Sequence, residues 1–88
     1  MAHPGVIKGD QRIKKAFGDR LRELRKAAGF SQEDLALKAH IDRSYVGQAE
    51  RGTRNVALVN VHKLARAFGI PPHELLMPRG SDHSIRRG

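Results

Sequence analysis

Five histidines, His3, His40, His62, His73 and His83, are the side chains in this 88-residue sequence best able to bind a metal or move a proton, but they lie far apart with no HxxxH or comparable ligand spacing. The sequence has no cysteine, which excludes thiolate ligands and disulfides, so no metal site is expected and each histidine reads as a surface residue. The serines have no evident histidine and acid partners, and no glycine-rich phosphate loop follows a strand, because no strand pattern exists. A chain this short also buries too small a core to wall a deep catalytic cleft. It is therefore expected not to be an enzyme and to use no cofactor. What the residues supply in quantity is charge. Seventeen Lys and Arg face nine Asp and Glu, a formal net charge of +8, which favours a polyanionic partner with nucleic acid as the leading candidate.

The stretch that would present such residues is Ser31 to Gly52, SQEDLALKAHIDRSYVGQAERG. Ser31 followed three residues on by Asp34 is a helix start signal, and Gln32 and Glu33 suit the positive helix end. Leu35, Ala36 and Ala39 make an apolar stripe. From Asp42, a second N-cap, the pattern repeats with Val46 and Ala49 facing inward, and Gly52 ends it. Only His40 and Ile41 remain as a connection, so the two helices cross steeply as a helix-turn-helix and the second projects.

Its neighbours follow from periodicity. Residues 1–9, with Pro4, Gly5 and Gly9, read as a flexible N-terminal arm. From about Asp10, the residues Ile13, Phe17, Leu21, Leu24 and Ala28 form one helical face ending at Gly29, with Gly18 marking a late start or a bend. Thr53 to Ala57 is a polar connector. A helix with Leu58, Val61, Leu64, Ala65 and Phe68 inward runs to Gly69. Pro71 and Pro72 introduce a short last helix, His73 to Met77, and 78–88 reads as a disordered basic tail. The expected domain is thus 10–77, all-α, with five helices. Ile70, Leu75, Leu76 and Met77 exceed what a small core needs at its edge and are expected to form an isologous dimer patch. No apolar run is long enough to cross a membrane or to serve as a signal peptide, so a cytoplasmic protein is expected.

LRELRKAAGFSQEDLA, RSYVGQAERG and LVNVHKLARAFGIPPHELL together resemble the Cro/C1-type (XRE) helix-turn-helix family of bacterial and phage repressors, over about Phe17 to Leu76. IDRSYVGQAERGTRN looks most like the controller proteins of restriction–modification systems. The resemblance implies a lambda-repressor-like fold and a homodimer that binds a palindromic operator in double-stranded DNA and regulates transcription without a small-molecule ligand. It places the second helix of the motif in the major groove, with Arg43, Ser44 and Gln48 at base edges. The Arg43 fork suits guanine O6 and N7, and the Gln48 amide suits adenine N6 and N7. Backbone contacts are implied for Gln32, Tyr45, Arg51, Thr53, Arg54 and Asn55. Arg25 and Glu50 stand where the family has an ion pair tying the first helix to the recognition helix, the alternative being two unrelated surface charges.

Several positions depart from the family pattern. His40 replaces the turn glycine at some strain. Gly47 stands where serine is common, Ala57 is a poor N-cap, and Ala49 replaces a larger aliphatic residue. The motif is not itself basic: Lys38, Arg43 and Arg51 face Glu33, Asp34, Asp42 and Glu50. Attraction to a polyanion must come from the first helix, the arm and the tail, where Lys8, Arg12, Lys14 and Lys15 either reach flanking phosphates or form a solvated face. The same fold also serves antitoxins and protein-binding adaptors. Against that reading, the tail is short and polar, with Ile85 as its one apolar anchor.

Overall fold

The computed structural model describes residues 8–86. The expected arm falls outside them, except for Lys8 and Gly9, which already belong to the first helix. Four α-helices follow in order, α1 (Lys8–Ala28), α2 (Gln32–Ala39), α3 (Arg43–Arg51) and α4 (Leu58–Phe68), and no strand occurs among the described residues. The fifth expected helix is corrected to a 3-10 turn, Pro72–Leu76. Pro71 and Pro72 suit the start of either kind of helix, but the segment ends after five residues, enough only for the tighter i+3 pattern.

Local chemistry ends every α-helix in the same way. The residue after each adopts a left-handed conformation, and the next N–H folds back onto the helix: Phe30 to Arg25 O, Ile41 to Ala36 O, Thr53 to Gln48 O and Ile70 to Ala65 O, each at 3.0 Å. Glycine fills that position at 29, 52 and 69, and His40 does so with φ 57°. At its start, α2 has the full capping box. Asp34 N–H donates to Ser31 Oγ at 3.0 Å, and Ser31 N–H donates to the Asp34 carboxylate at 2.9 Å. The second expected cap is corrected: Asp42 has extended backbone, but its side chain makes no cap hydrogen bond.

The core gathers Leu21 and Leu24 of α1, Leu35 of α2, Val46 of α3, Leu64 of α4 and Leu75 of the 3-10 turn, all fully buried. Phe30 and Phe68 stack beside it with ring centroids 6.1 Å apart. Gly18, expected to interrupt α1, lies inside a continuous helix for a packing reason. A Cβ there would sit 2.5 Å from the Ala49 carbonyl oxygen and 2.6 Å from that of Glu50, so its absence lets α1 cross directly over the end of α3. The inward assignments of Ile13 and Leu58 are corrected, each being 70% exposed. Leu58 is the first residue of α4, and Ile13, near the start of α1, lines an open groove rather than the closed core.

Residues 78–86 are not the free tail expected from composition but fold back along α1. Arg20, fully buried, donates through Nε to Glu74 O, and through Nη1 and Nη2 to Ser81 O and Asp82 O, at 2.8, 2.9 and 3.1 Å. Gly80 N–H donates to Glu23, both Ser84 N–H and Oγ donate to Glu74, and Ile85 packs against the core. These donors hold both carboxyls below their ordinary range. At Glu74 the Ser84 hydroxyl leads, and at Glu23 burial pushes upward but is outweighed by the Gly80 N–H and Arg20.

Candidate nucleic-acid interface

The inner side of α3 is fixed by Val46, Gly47, Ala49 and Glu50, all buried. Arg43 and Ser44 are exposed at its first turn and Gln48 is half-exposed one turn on, so Ser44 and Gln48 share a row at i, i+4 spacing with Arg43 beside it. The three residues expected at base edges therefore do lie together on the outer side of one helix.

What orients that helix is the pair Arg25 and Glu50. Arg25 Nε donates to Glu50 Oε2 at 2.6 Å and Nη2 to Oε1 at 3.1 Å, a fork on a carboxylate whose side chain is only 4% exposed. Its Nη1 donates to Phe30 O at 2.9 Å, and Gln32 Nε2 donates to Glu50 Oε1 at 3.1 Å. Three helices, α1, α2 and α3, thus meet at one carboxylate, which makes rotation of α3 against α1 costly. It also means that the Gln32 amide, expected to hold a phosphate, is partly engaged within the protein.

The residues expected at the DNA backbone separate into two groups. Gln32, Arg51 and Thr53 line one open cleft together with Lys15, Asp19, Arg22 and Glu50. Both acids there are already paired, Glu50 with Arg25 and Asp19 with Lys15 at 2.7 Å, so Arg22 and Arg51 give the cleft its net sign. The second group is Tyr45, Arg54 and Asn55, at the other edge of α3. The Tyr45 hydroxyl accepts from Ala57 N–H at 3.1 Å, which ties α3 to the start of α4 and supplies a partner where Ala57 has no cap to give. The Arg54 guanidinium lies 4.6 Å from the Tyr45 ring centroid, and its Nε donates to Gln48 Oε1 at 2.9 Å. Thr53 Oγ1 donates to Gln48 O at 3.2 Å. Asn55 is exposed.

The expected dimer patch is divided. Ile70 and Leu75 belong to the chain's own core, at 6% and 0% exposure, because the 3-10 turn folds them under α4 and against α1. Leu76 remains 66% and Met77 37% exposed. They border an apolar groove whose walls include Ile13, Phe17, Val56 and Val61 and whose rim reaches Arg54 and Asn55.

Sequence reasoning missed Arg20. Its signal was present, since Arg20 lies three residues after Phe17 and four before Leu24, on the inward register of α1, where an arginine needs buried acceptors. It also missed the link from Arg54 to Gln48, because nothing local pairs a connector residue with one six positions back.

The sequence pattern of the Helix-turn-helix family matches residues 21–75. The chain is 42% identical over 65 residues to the control protein C.BamHI of Bacillus amyloliquefaciens, covering 73% of this chain and 80% of that protein. It is 44% identical over 64 residues to the control protein C.MunI of a Mycoplasma species, covering 72% and 86%. Among solved structures, the restriction-modification controller protein C.AhdI from Aeromonas hydrophila superposes with a TM-score of 0.69 at 61% identity, over 70% of this chain and 94% of that one. The hypothetical transcription factor NHTF from Neisseria superposes with a TM-score of 0.74 at 35% identity, over 89% and 90%.

Proposed function

The chain belongs to the Cro/C1-type (XRE) helix-turn-helix family of DNA-binding transcriptional regulators, close to the restriction–modification controller proteins, and from that membership we propose that it reads a palindromic operator as a homodimer. The observation that carries this reading is the outer row of α3. Arg43 and Ser44 are exposed and Gln48 half-exposed beside them, while the opposite side of the helix is buried and locked by Arg25 and Glu50. In the major groove Arg43 spans guanine O6 and N7 with its fork, and Ser44 adds a less selective bond. Arg51, Thr53, Arg22 and the N-terminus of α2 at Gln32 meet phosphates on one flank. Tyr45 and Asn55 do so on the other; the Tyr45 hydroxyl accepts from Ala57 and still has its own proton to donate.

The pairing would run through Leu76 and Met77 along the apolar groove, whose lining extends to Arg54 and Asn55, just after α3. One recognition helix reads only a few base pairs, so two are needed to select an operator, and a two-fold pair demands a palindrome. Occupancy of that operator then follows protein concentration.

Selection of bound sequences from a random duplex pool tests the reading. The expected result is a palindromic motif with half-sites about one helical turn apart, in which Arg43→Ala relaxes a guanine position. Salt-sensitive binding with no enriched motif would mean that only the electrostatic term is present and would overturn it.

A further inference from the structure

Gln48 has a carbonyl oxygen and an amino group at the same tip, and which one meets a base decides what it can recognise. In this protein the choice is made by Arg54. A guanidinium has donors only, so the Gln48 atom 2.9 Å from Arg54 Nε must be the oxygen. Arg54 is itself held: its Cζ lies over the Tyr45 ring, 4.6 Å from the centroid, and that ring is anchored at its far end by the hydrogen bond from Ala57 N–H. The linkage runs from the start of α4 through Tyr45 and Arg54 to the Gln48 amide. It leaves Nε2 as the end open to a ligand.

We propose that Arg54 is a specificity-determining positioning residue that turns the Gln48 amide so that it meets DNA as a donor, selecting guanine over adenine at the base it reads. The inference rests on the reading of α3 as the recognition helix. A bidentate adenine contact needs the glutamine oxygen to accept from N6 while the nitrogen donates to N7. With the oxygen turned back onto a cation, only the donor remains. It fits the acceptors O6 and N7 of guanine, whereas the adenine amino group would oppose it. Lysine at position 54 would keep the charge but could neither stack on Tyr45 nor present a fixed planar donor.

The experiment is bound-sequence selection with the full chain and with Gln48→Ala, Arg54→Ala, Arg54→Lys and the Gln48→Ala/Arg54→Ala pair. The position that relaxes in Gln48→Ala should hold guanine with the unaltered protein. In both Arg54 variants the guanine-to-adenine ratio at that position should fall roughly tenfold, the size of one bidentate discrimination. The double variant should read that position no differently from Gln48→Ala alone. Adenine at that position with the unaltered protein would overturn the proposal. So would uniform weakening in Arg54→Ala with an unchanged motif, a salt slope reduced by about one and recovery in Arg54→Lys, the behaviour of a simple phosphate contact. Absence of any enriched motif with the unaltered protein would instead remove the recognition-helix reading, and this inference with it.

Discussion

Glu50 is the residue on which the orientation of α3 turns. Its carboxylate takes the Arg25 fork and the Gln32 amide and has almost no contact with water. A buried pair of this kind contributes less to net stability than to fixing one arrangement, because desolvation offsets most of the attraction. Removing one partner is a different matter, since the other is left charged and unpaired. Glu50→Gln is therefore expected to lower the unfolding free energy by about 3 kcal/mol. Arg25→Met combined with Glu50→Met should cost less than the sum of the two single changes, read by urea denaturation of all four proteins.

At the level of elements, two of the places where sequence departs from ordinary helix grammar, Gly18 and His40, have different causes. Gly18 is required by a neighbour. Alanine there would gain about 1 kcal/mol of helix propensity but would drive its Cβ into backbone carbonyls that cannot swing aside. Overpacking of that kind costs about 1–3 kcal/mol, so Gly18→Ala should destabilise on balance, seen as a lower urea midpoint with helical circular dichroism retained. His40 is only tolerated. Its left-handed backbone, φ 57° and ψ 47°, costs a non-glycine residue roughly 1–2 kcal/mol. Glycine would remove that cost while adding some unfolded-state entropy, so His40→Gly should raise stability by about 1 kcal/mol or less, read from the same denaturation midpoint.

For the whole molecule, the strap over α1 sets acid sensitivity, and the groove beside it is the surface of the proposed pairing. Glu74 and Glu23 have depressed pKa values in the folded protein because Ser84, Gly80 and Arg20 favour their charged forms. A carboxyl of lower pKa in the folded than in the unfolded state stabilises above its ordinary value, here 4.5, and that contribution is lost as pH falls through the depressed native value. The melting temperature should therefore drop more steeply below pH 4.5 for the unaltered protein than for Glu74→Gln, in thermal scans across that range. Assembly is a separate matter. Leu76 lies outside the core, so Leu76→Asp should leave the monomer folded while lowering dimer content in sedimentation and weakening operator binding.

The four α-helices, the Ser31 capping box, the glycine stops and the helix-turn-helix were legible in the sequence because their causes are local, whereas the Asp42 cap and a fifth α-helix were not formed. The 3.6-residue periodicity fixed the buried row Val61, Leu64, Ala65 and Phe68, and the Ser31 and Asp34 pair marked the start of α2 within three residues. Family resemblance then supplied the positions of Arg25, Glu50 and the outer row of α3. The tertiary structure alone decided the rest, because partners remote in sequence leave no periodic trace. Besides Glu23 on its own helix, Arg20 finds three backbone acceptors 54 to 62 residues away, which turns an apparent basic tail into a strap. Gly18 is explained only by the backbone of α3, and Ile70 and Leu75 become core only once the 3-10 turn folds under α4. The end of Gln48 that faces outward is fixed by a stacked arginine across a connector, a contact set by where α4 begins rather than by any residue within α3.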